Sequence, residues 1–138
     1  MSRYYPHPAY AEDQPLARTI LMTHVETRAV TTGTLIGGGL FAYRSIRGLP
    51  HTVAVAAKTA PPLLRLGVPF LRTTGINVLW TMGLTSAGLA ARMYGREDIE
   101  WRDRAWRLLE NRGQLETDDW TYPGMAAGLA AWAGQGVG

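Results

Sequence analysis

Side chains able to do covalent or acid/base chemistry are sparse in this sequence. His7, His24 and His51 stand apart from one another and there is no cysteine, which excludes a thiolate zinc site, a cysteine nucleophile and a disulfide scaffold. His24-Val25-Glu26 has the His-x-Glu spacing that opens a zinc-deaminase signature, but that chemistry needs cysteines to hold the metal. His24 and Glu26 therefore read as interfacial polar residues. Gly37-Gly38-Gly39 is not followed by the Gly-Lys-Ser/Thr of a phosphate loop, and no Gly-x-Ser-x-Gly elbow occurs. Asp118 and Asp119 are adjacent, a pattern that suits helix capping in a solvated turn better than an acid/base pair. The expectation is a chain with no catalytic, cofactor-binding or metal-ligating residues and no small-molecule substrate.

The elements that carry these residues are set by where charge is missing. The chain has 138 residues, 46% hydrophobic and 18% charged, with a net charge of +3 and a pI near 9.6. All eleven carboxylates lie before residue 27 or after residue 96, so Thr27 to Arg96 is a carboxylate-free stretch of 70 residues. A soluble surface of that size normally carries both signs of charge. Residues 1–28 net zero, residues 44–72 carry five basic residues without an acid, and residues 92–119 carry six Arg against eight acids. The basic residues flank apolar runs instead of forming an aromatic-interleaved patch, so a membrane and its headgroups fit better than nucleic acid.

Three uncharged runs follow. Between Arg72 and Arg92 lie nineteen residues, TTGINVLWTMGLTSAGLAA, close to the roughly 20 that cross a hydrocarbon core as a helix. Ala29 to Tyr43 is uncharged for fifteen residues and reaches spanning length if Arg28 and Arg44 snorkel, with a helix from about His24 to Ile46. Pro123 to Gly138 is a shorter run of sixteen. It reads as a short C-terminal helix, inserted in the membrane or packed on the other two. Gly33 with Gly37, Gly38 in the adjacent small-residue row, and Gly83 with Ala87 recur four apart, a spacing that lets helix backbones approach closely where lipid supplies no hydrophobic drive. These five are the expected helix-packing positions.

The connecting segments complete the outline. Residues 1–25, with Pro6, Pro8 and Pro15, read as an extended N-terminal arm, and show neither a cleavable presequence nor a secretory signal. Residues 26–96 form a transmembrane helical hairpin around a Pro-containing basic loop. Pro50, Pro61, Pro62 and Pro69 make a straight span through that loop unfavourable. Lys58, Arg65 and Arg72 recur every seven residues, placing them on one helical face as lipid or partner contacts. The positive-inside rule sets this loop on the matrix or cytoplasmic side, with both termini opposite. Residues 97–119 form a charged amphipathic helix and an acidic turn. Asp98/Arg102, Glu100/Arg104 and Asp103/Arg107 are i,i+4 pairs, and Ile99, Trp106 and Leu109 share a broad apolar strip with Trp101, Ala105 and Leu108. Gly113 is the expected helix stop, with Asp119 or Thr121 capping the last helix, residues 120–138. Trp101 and Trp106 are expected to contact lipid or a partner. The fold class is thus all-α: two glycine-rich transmembrane helices, an interfacial amphipathic helix and a short C-terminal helix.

TTGTLIGGGLFAYRS at 31–45, TTGINVLWTMGLTSAGLAARMYGR at 73–96 and RAWRLLENRGQLETDDW at 104–120 together resemble the small accessory membrane subunits of mitochondrial respiratory complex I, in particular the fungal NUXM type. The three segments cover about 40% of the chain. The resemblance implies a non-catalytic subunit of the mitochondrial inner membrane that supports assembly of the membrane arm of NADH:ubiquinone oxidoreductase. Its implied partners are other membrane-arm subunits and phospholipid, with cardiolipin a candidate, and it implies no cofactor. The chain is also similar to the Tim17/Tim22 group of import-complex components, where four spans are usual and this sequence offers fewer. An obligate helical dimer is the alternative from outside the membrane classes.

Overall fold

In the computed structural model, residues 5–49 and 62–135 are described. They are all-helical, with no strand among them: a 3-10 turn at Ala11–Asp13, then α1 (Ala17–Ile46), α2 (Pro62–Met93), α3 (Asp98–Glu110) and α4 (Arg112–Gln135). Among the described residues, no helix is long and apolar enough to cross a membrane. The chain divides into two compact units, residues 28–88 and residues 1–27 with 89–138. The 28–88 unit lies wholly inside the carboxylate-free stretch, so every acid belongs to the other unit.

Local chemistry fixes the helix ends, and several fall away from the sequence-based expectation. α1 begins at Ala17, earlier than the expected start near His24, because Ala17 and Ile20 find an apolar partner in Ala105 and Leu109. It ends in a Schellman arrangement: Leu49 N–H donates to Arg44 O at 2.9 Å and Gly48 N–H to Ser45 O at 3.2 Å. Gly48 supplies the left-handed residue, at φ +62°, that this cap requires. α2 starts at Pro62, whose missing N–H is no loss in the first turn, and runs on through Pro69. Of the four prolines expected to disfavour a straight span, Pro62 and Pro69 are thus accommodated within a helix. Gly95, at φ +69°, turns the chain out of α2.

The stop between α3 and α4 is Asn111, not Gly113. Asn111 leaves the helical region, at φ −80° and ψ 94°, and its Oδ1 accepts from Gln114 N–H at 3.3 Å, the N-cap contact of α4. Gly113 then sits in the first turn of α4, and Asp119 and Thr121, the expected caps, lie in its interior. Thr121 donates instead to Thr117 O of its own helix, at 2.8 Å. The helix also continues through Pro123, so the acidic turn expected before the last run is helical.

In the unit of residues 1–27 and 89–138, the core is Ala17, Ile20, Ala105 and Leu109, with Tyr5, Trp101, Leu108 and Leu115 packed around it. α3 turns Ala105 and Leu109 inward and leaves Ile99 exposed, so Ile99 falls outside the strip expected for it. Two of its expected ion pairs form, Arg102–Asp98 at 2.9 Å and Arg107–Asp103 at 3.0 Å, while Glu100 pairs backwards with Arg96 at 3.1 Å. The N-terminal arm docks on α3. Trp106 Nε1 donates to Pro8 O at 3.0 Å, Arg102 donates to Glu12 O, and buried Gln14 donates to Pro6 O at 2.9 Å and Pro15 O at 3.1 Å.

Candidate functional site

Two features carry the side chains that matter most, one in each unit. In the 28–88 unit, α1 and α2 pack antiparallel along a seam of small residues. A Cβ added at Gly33 would stand 2.5 Å from Val78 Cα, and one added at Gly37 would stand 2.5 Å from Thr74 Cα. Both obstacles are backbone atoms, so only glycine permits this approach. Each four-residue step toward the C-terminal end of α1 meets a four-residue step back along α2, and the next step brings Phe41 edge-on to Phe70, with ring centroids 5.4 Å apart. Gly38 lies beside this seam, its notional Cβ 3.8 Å from the Phe70 ring. Gly83 has nothing within 4 Å and Ala87 is exposed, so these two take no part in the contact.

The seam and the outside of this unit have exchanged their usual compositions. Among its described residues, the buried positions are Ala29, Gly33, Gly37, Pro69 and Thr74. The large apolar side chains point out: Leu35 is 72% exposed, Leu79 71%, Trp80 70% and Leu84 68%. The polar side chains of α2 close onto their own helix. Thr74 donates to Phe70 O at 2.8 Å, Asn77 to Thr73 O at 2.8 Å, Thr81 to Asn77 O at 2.7 Å and Thr85 to Thr81 O at 2.8 Å. Such back-bonding satisfies a hydroxyl or amide donor without water.

The second feature is a buried polar cluster between α1 and α4. Ala17, Ile20, His24 and Thr27 recur at helical spacing, and the stripe changes from apolar to polar halfway along it. His24 Nδ1 lies 2.9 Å from Asp118 Oδ2, with side chains 11% and 1% exposed. One turn further along each helix, Thr27 Oγ1 is 3.3 Å from Tyr122 OH while donating to Thr23 O at 2.7 Å. Tyr5 OH reaches Thr23 Oγ1 at 3.4 Å. Burial raises the Tyr122 phenol above its ordinary pKa; the Thr27 hydrogen bond opposes this, and Asp118, Tyr5 and Asp119 add to the rise. The pair ties α4 to α1 across 94 residues of sequence.

This pair is the contact that the sequence reading missed. The sequence pattern suggests an interfacial His24 and an Asp118 in a solvated turn, but both are buried. The available signal was spacing: His24 and Thr27 continue the Ala17/Ile20 stripe, and Asp118 and Tyr122 are four apart on α4. Two depressions of about 240 Å³ lie elsewhere in the same unit, one lined by Gln14–Thr19 with Asp98 and Arg102, the other by Ile99, Glu100, Asp103 and Arg104. Both are smaller than the usual small-molecule cleft. Among the described residues, no group of three or more His, Asp or Glu could hold a metal ion.

The remaining expected contact residues separate. Arg72 is exposed on α2, Arg65 is the fourth residue of that helix, and Lys58 lies outside the described residues. Trp101 and Trp106, expected to meet lipid or a partner, are engaged by the chain's own N-terminal region: the Arg18 guanidinium sits 5.4 Å over the Trp101 ring, and His7 stacks on Trp106 at 5.2 Å. The chain matches no protein-family pattern, and no curated protein or solved structure is detectably similar to it.

Two stability predictions follow from this geometry. Gly37→Ala should destabilise the helix pair by about 1–3 kcal/mol through overpacking against backbone, while Gly83→Ala should be neutral or stabilising by up to about 1 kcal/mol because it gains helix propensity without a clash. Denaturant titration of the helical circular-dichroism signal in mild detergent reads both. In the other unit, Asp118→Ala should cost about 1–3 kcal/mol by leaving buried His24 without its acceptor, and much of that cost should vanish in a His24→Leu background. Additive effects of the two substitutions would show that the pair is not coupled.

Proposed function

We propose that this chain is a non-catalytic accessory subunit held in a membrane by its 28–88 hairpin and built into a larger assembly, the membrane arm of mitochondrial respiratory complex I in the inner membrane. The observation that carries the membrane part is the composition of that unit: Gly33, Gly37 and Thr74 in the seam, large apolar side chains outside, and no carboxylate anywhere in residues 28–88. A water-facing helix pair would bury its Leu and Trp side chains. Small residues at the helix contact and apolar residues outside are what a lipid environment selects.

The modest hydropathy of α1 and α2 has a physical source. Thr, Asn and Gly dilute the apolar residues, and the threonines and asparagine of α2 donate to carbonyls of their own helix, which lowers the cost of placing them in hydrocarbon. Glycine at the seam is needed for close approach, not for solvation. The assignment to complex I rests on the resemblance carried by residues 31–45, 73–96 and 104–120, and the proposed neighbours are membrane-arm subunits together with phospholipid.

Native membranes washed in carbonate, then solubilised in mild detergent and resolved by blue-native electrophoresis, test both parts. The chain should stay in the carbonate pellet and migrate with NADH dehydrogenase activity. Release by carbonate would remove the membrane reading. Migration with import machinery would favour the Tim17/Tim22-like alternative, and a species of twice the chain mass would favour the helical dimer.

A further inference from the structure

We propose that the arginines near the C-terminal end of α1 and in the N-terminal part of α2 form a docking surface for anionic phospholipid headgroups; this inference rests on the membrane reading above. The antiparallel register gathers charges that the sequence scatters. Phe41 and Phe70 meet, and at 1.5 Å per helical residue Arg44 and Arg47 lie ~4.5 and ~9 Å beyond that level along α1. Arg65 lies ~7.5 Å beyond it along α2, and Arg72 ~3 Å on the near side. Arg44, Arg47 and Arg72 thus occupy an axial band of about 12 Å, which matches one headgroup layer of roughly 5–7 Å plus the reach of snorkelling guanidinium stems.

The surroundings favour lipid over an acidic protein groove. Residues 28–88 contain no Asp or Glu, so the unit itself offers these arginines no anion. Arg47 and Arg72 are exposed and Arg44 is half-buried, and apolar groups are interleaved with them: Tyr43 is 52% exposed, with the Arg47 guanidinium 5.7 Å over its ring, and Ile46 is 85% exposed. Residues 43–47 are all exposed or half-buried, so charge and apolar surface run around the helix instead of forming one stripe. That mixture suits the boundary between acyl chains and headgroups, and it sets this end of the hairpin against the more anionic leaflet.

The test dilutes the full-length chain from detergent onto phosphatidylcholine vesicles, or onto vesicles of phosphatidylcholine with phosphatidylglycerol, and measures flotation at low and high salt. Wild type should float with both, favour the anionic vesicles and lose that preference as salt rises. Arg47→Gln and Arg72→Gln should each reduce the preference about fivefold, and together on the order of 25-fold, with flotation on neutral vesicles unchanged. Arg47→Lys with Arg72→Lys, which keeps the charge, should retain the preference, as should the control Arg107→Gln with Arg112→Gln on α3 and α4. Equal flotation of wild type on the two vesicles, full preference in the double Gln variant, or loss of preference in the Lys variant or the control would overturn the inference. Flotation with neither vesicle would instead remove the membrane reading on which it stands.

Discussion

The backbone contact at Gly33 and Gly37 is the constraint from which the rest of the 28–88 unit follows. With Val78 Cα and Thr74 Cα each 2.5 Å from where a Cβ would sit, any side chain at either glycine must push the helices apart. That contact fixes the antiparallel register, and the register in turn brings Phe41 to Phe70 and collects the arginines at one end. It also decides which residues face outward. Once glycine and threonine fill the seam, Leu35, Leu79, Trp80 and Leu84 have nowhere inside the unit to go. Their outward placement is the observation on which the proposed membrane reading rests.

The other unit carries every acid of the chain. Its small core of Ala17, Ile20, Ala105 and Leu109 sits under a helix laced with i,i+4 ion pairs, and the N-terminal arm covers Trp106 of that helix. Such exposed pairs contribute little individually, so its order depends more on the apolar core and on buried hydrogen bonds. The His24–Asp118 contact joins α1 to α4 where the apolar stripe of α1 runs out. A buried carboxylate is costly unless its partner is in place, which gives this contact a role in specifying where α4 docks.

How much was legible in the sequence depended on the range of the interaction concerned. The helical class, the α3 pairs Asp98/Arg102 and Asp103/Arg107, and the four-residue spacing of Gly33 and Gly37 are local patterns that a sequence displays directly. Gly83 and Ala87 have the same spacing and no contact, because spacing marks a face that can be approached without saying whether anything approaches it. Boundaries failed where tertiary contacts or caps outweighed propensity: Ala17 and Ile20 draw α1 forward onto Ala105 and Leu109, and the Asn111 side chain caps α4 ahead of Gly113. The His24–Asp118 pair spans 94 residues, and neither residue alone distinguishes a buried tie from a solvated polar group. The docking of the N-terminal arm on Trp106 was equally hidden, since a Pro-rich segment reveals its conformation but not its partner.

Membrane anchorage by the 28–88 hairpin, as proposed, requires its outward apolar side chains to face hydrocarbon. The absence of cysteine makes single-cysteine nitroxide labelling clean, and labels placed in turn at Leu79, Trp80 and Leu84 of the chain in bilayers would report their surroundings through collisions with oxygen or with a water-soluble nickel chelate. The account predicts strong oxygen and weak nickel broadening at these three positions, with both weak at Val78 on the seam. Strong nickel broadening at Leu79, Trp80 and Leu84 would put that surface in water and contradict it.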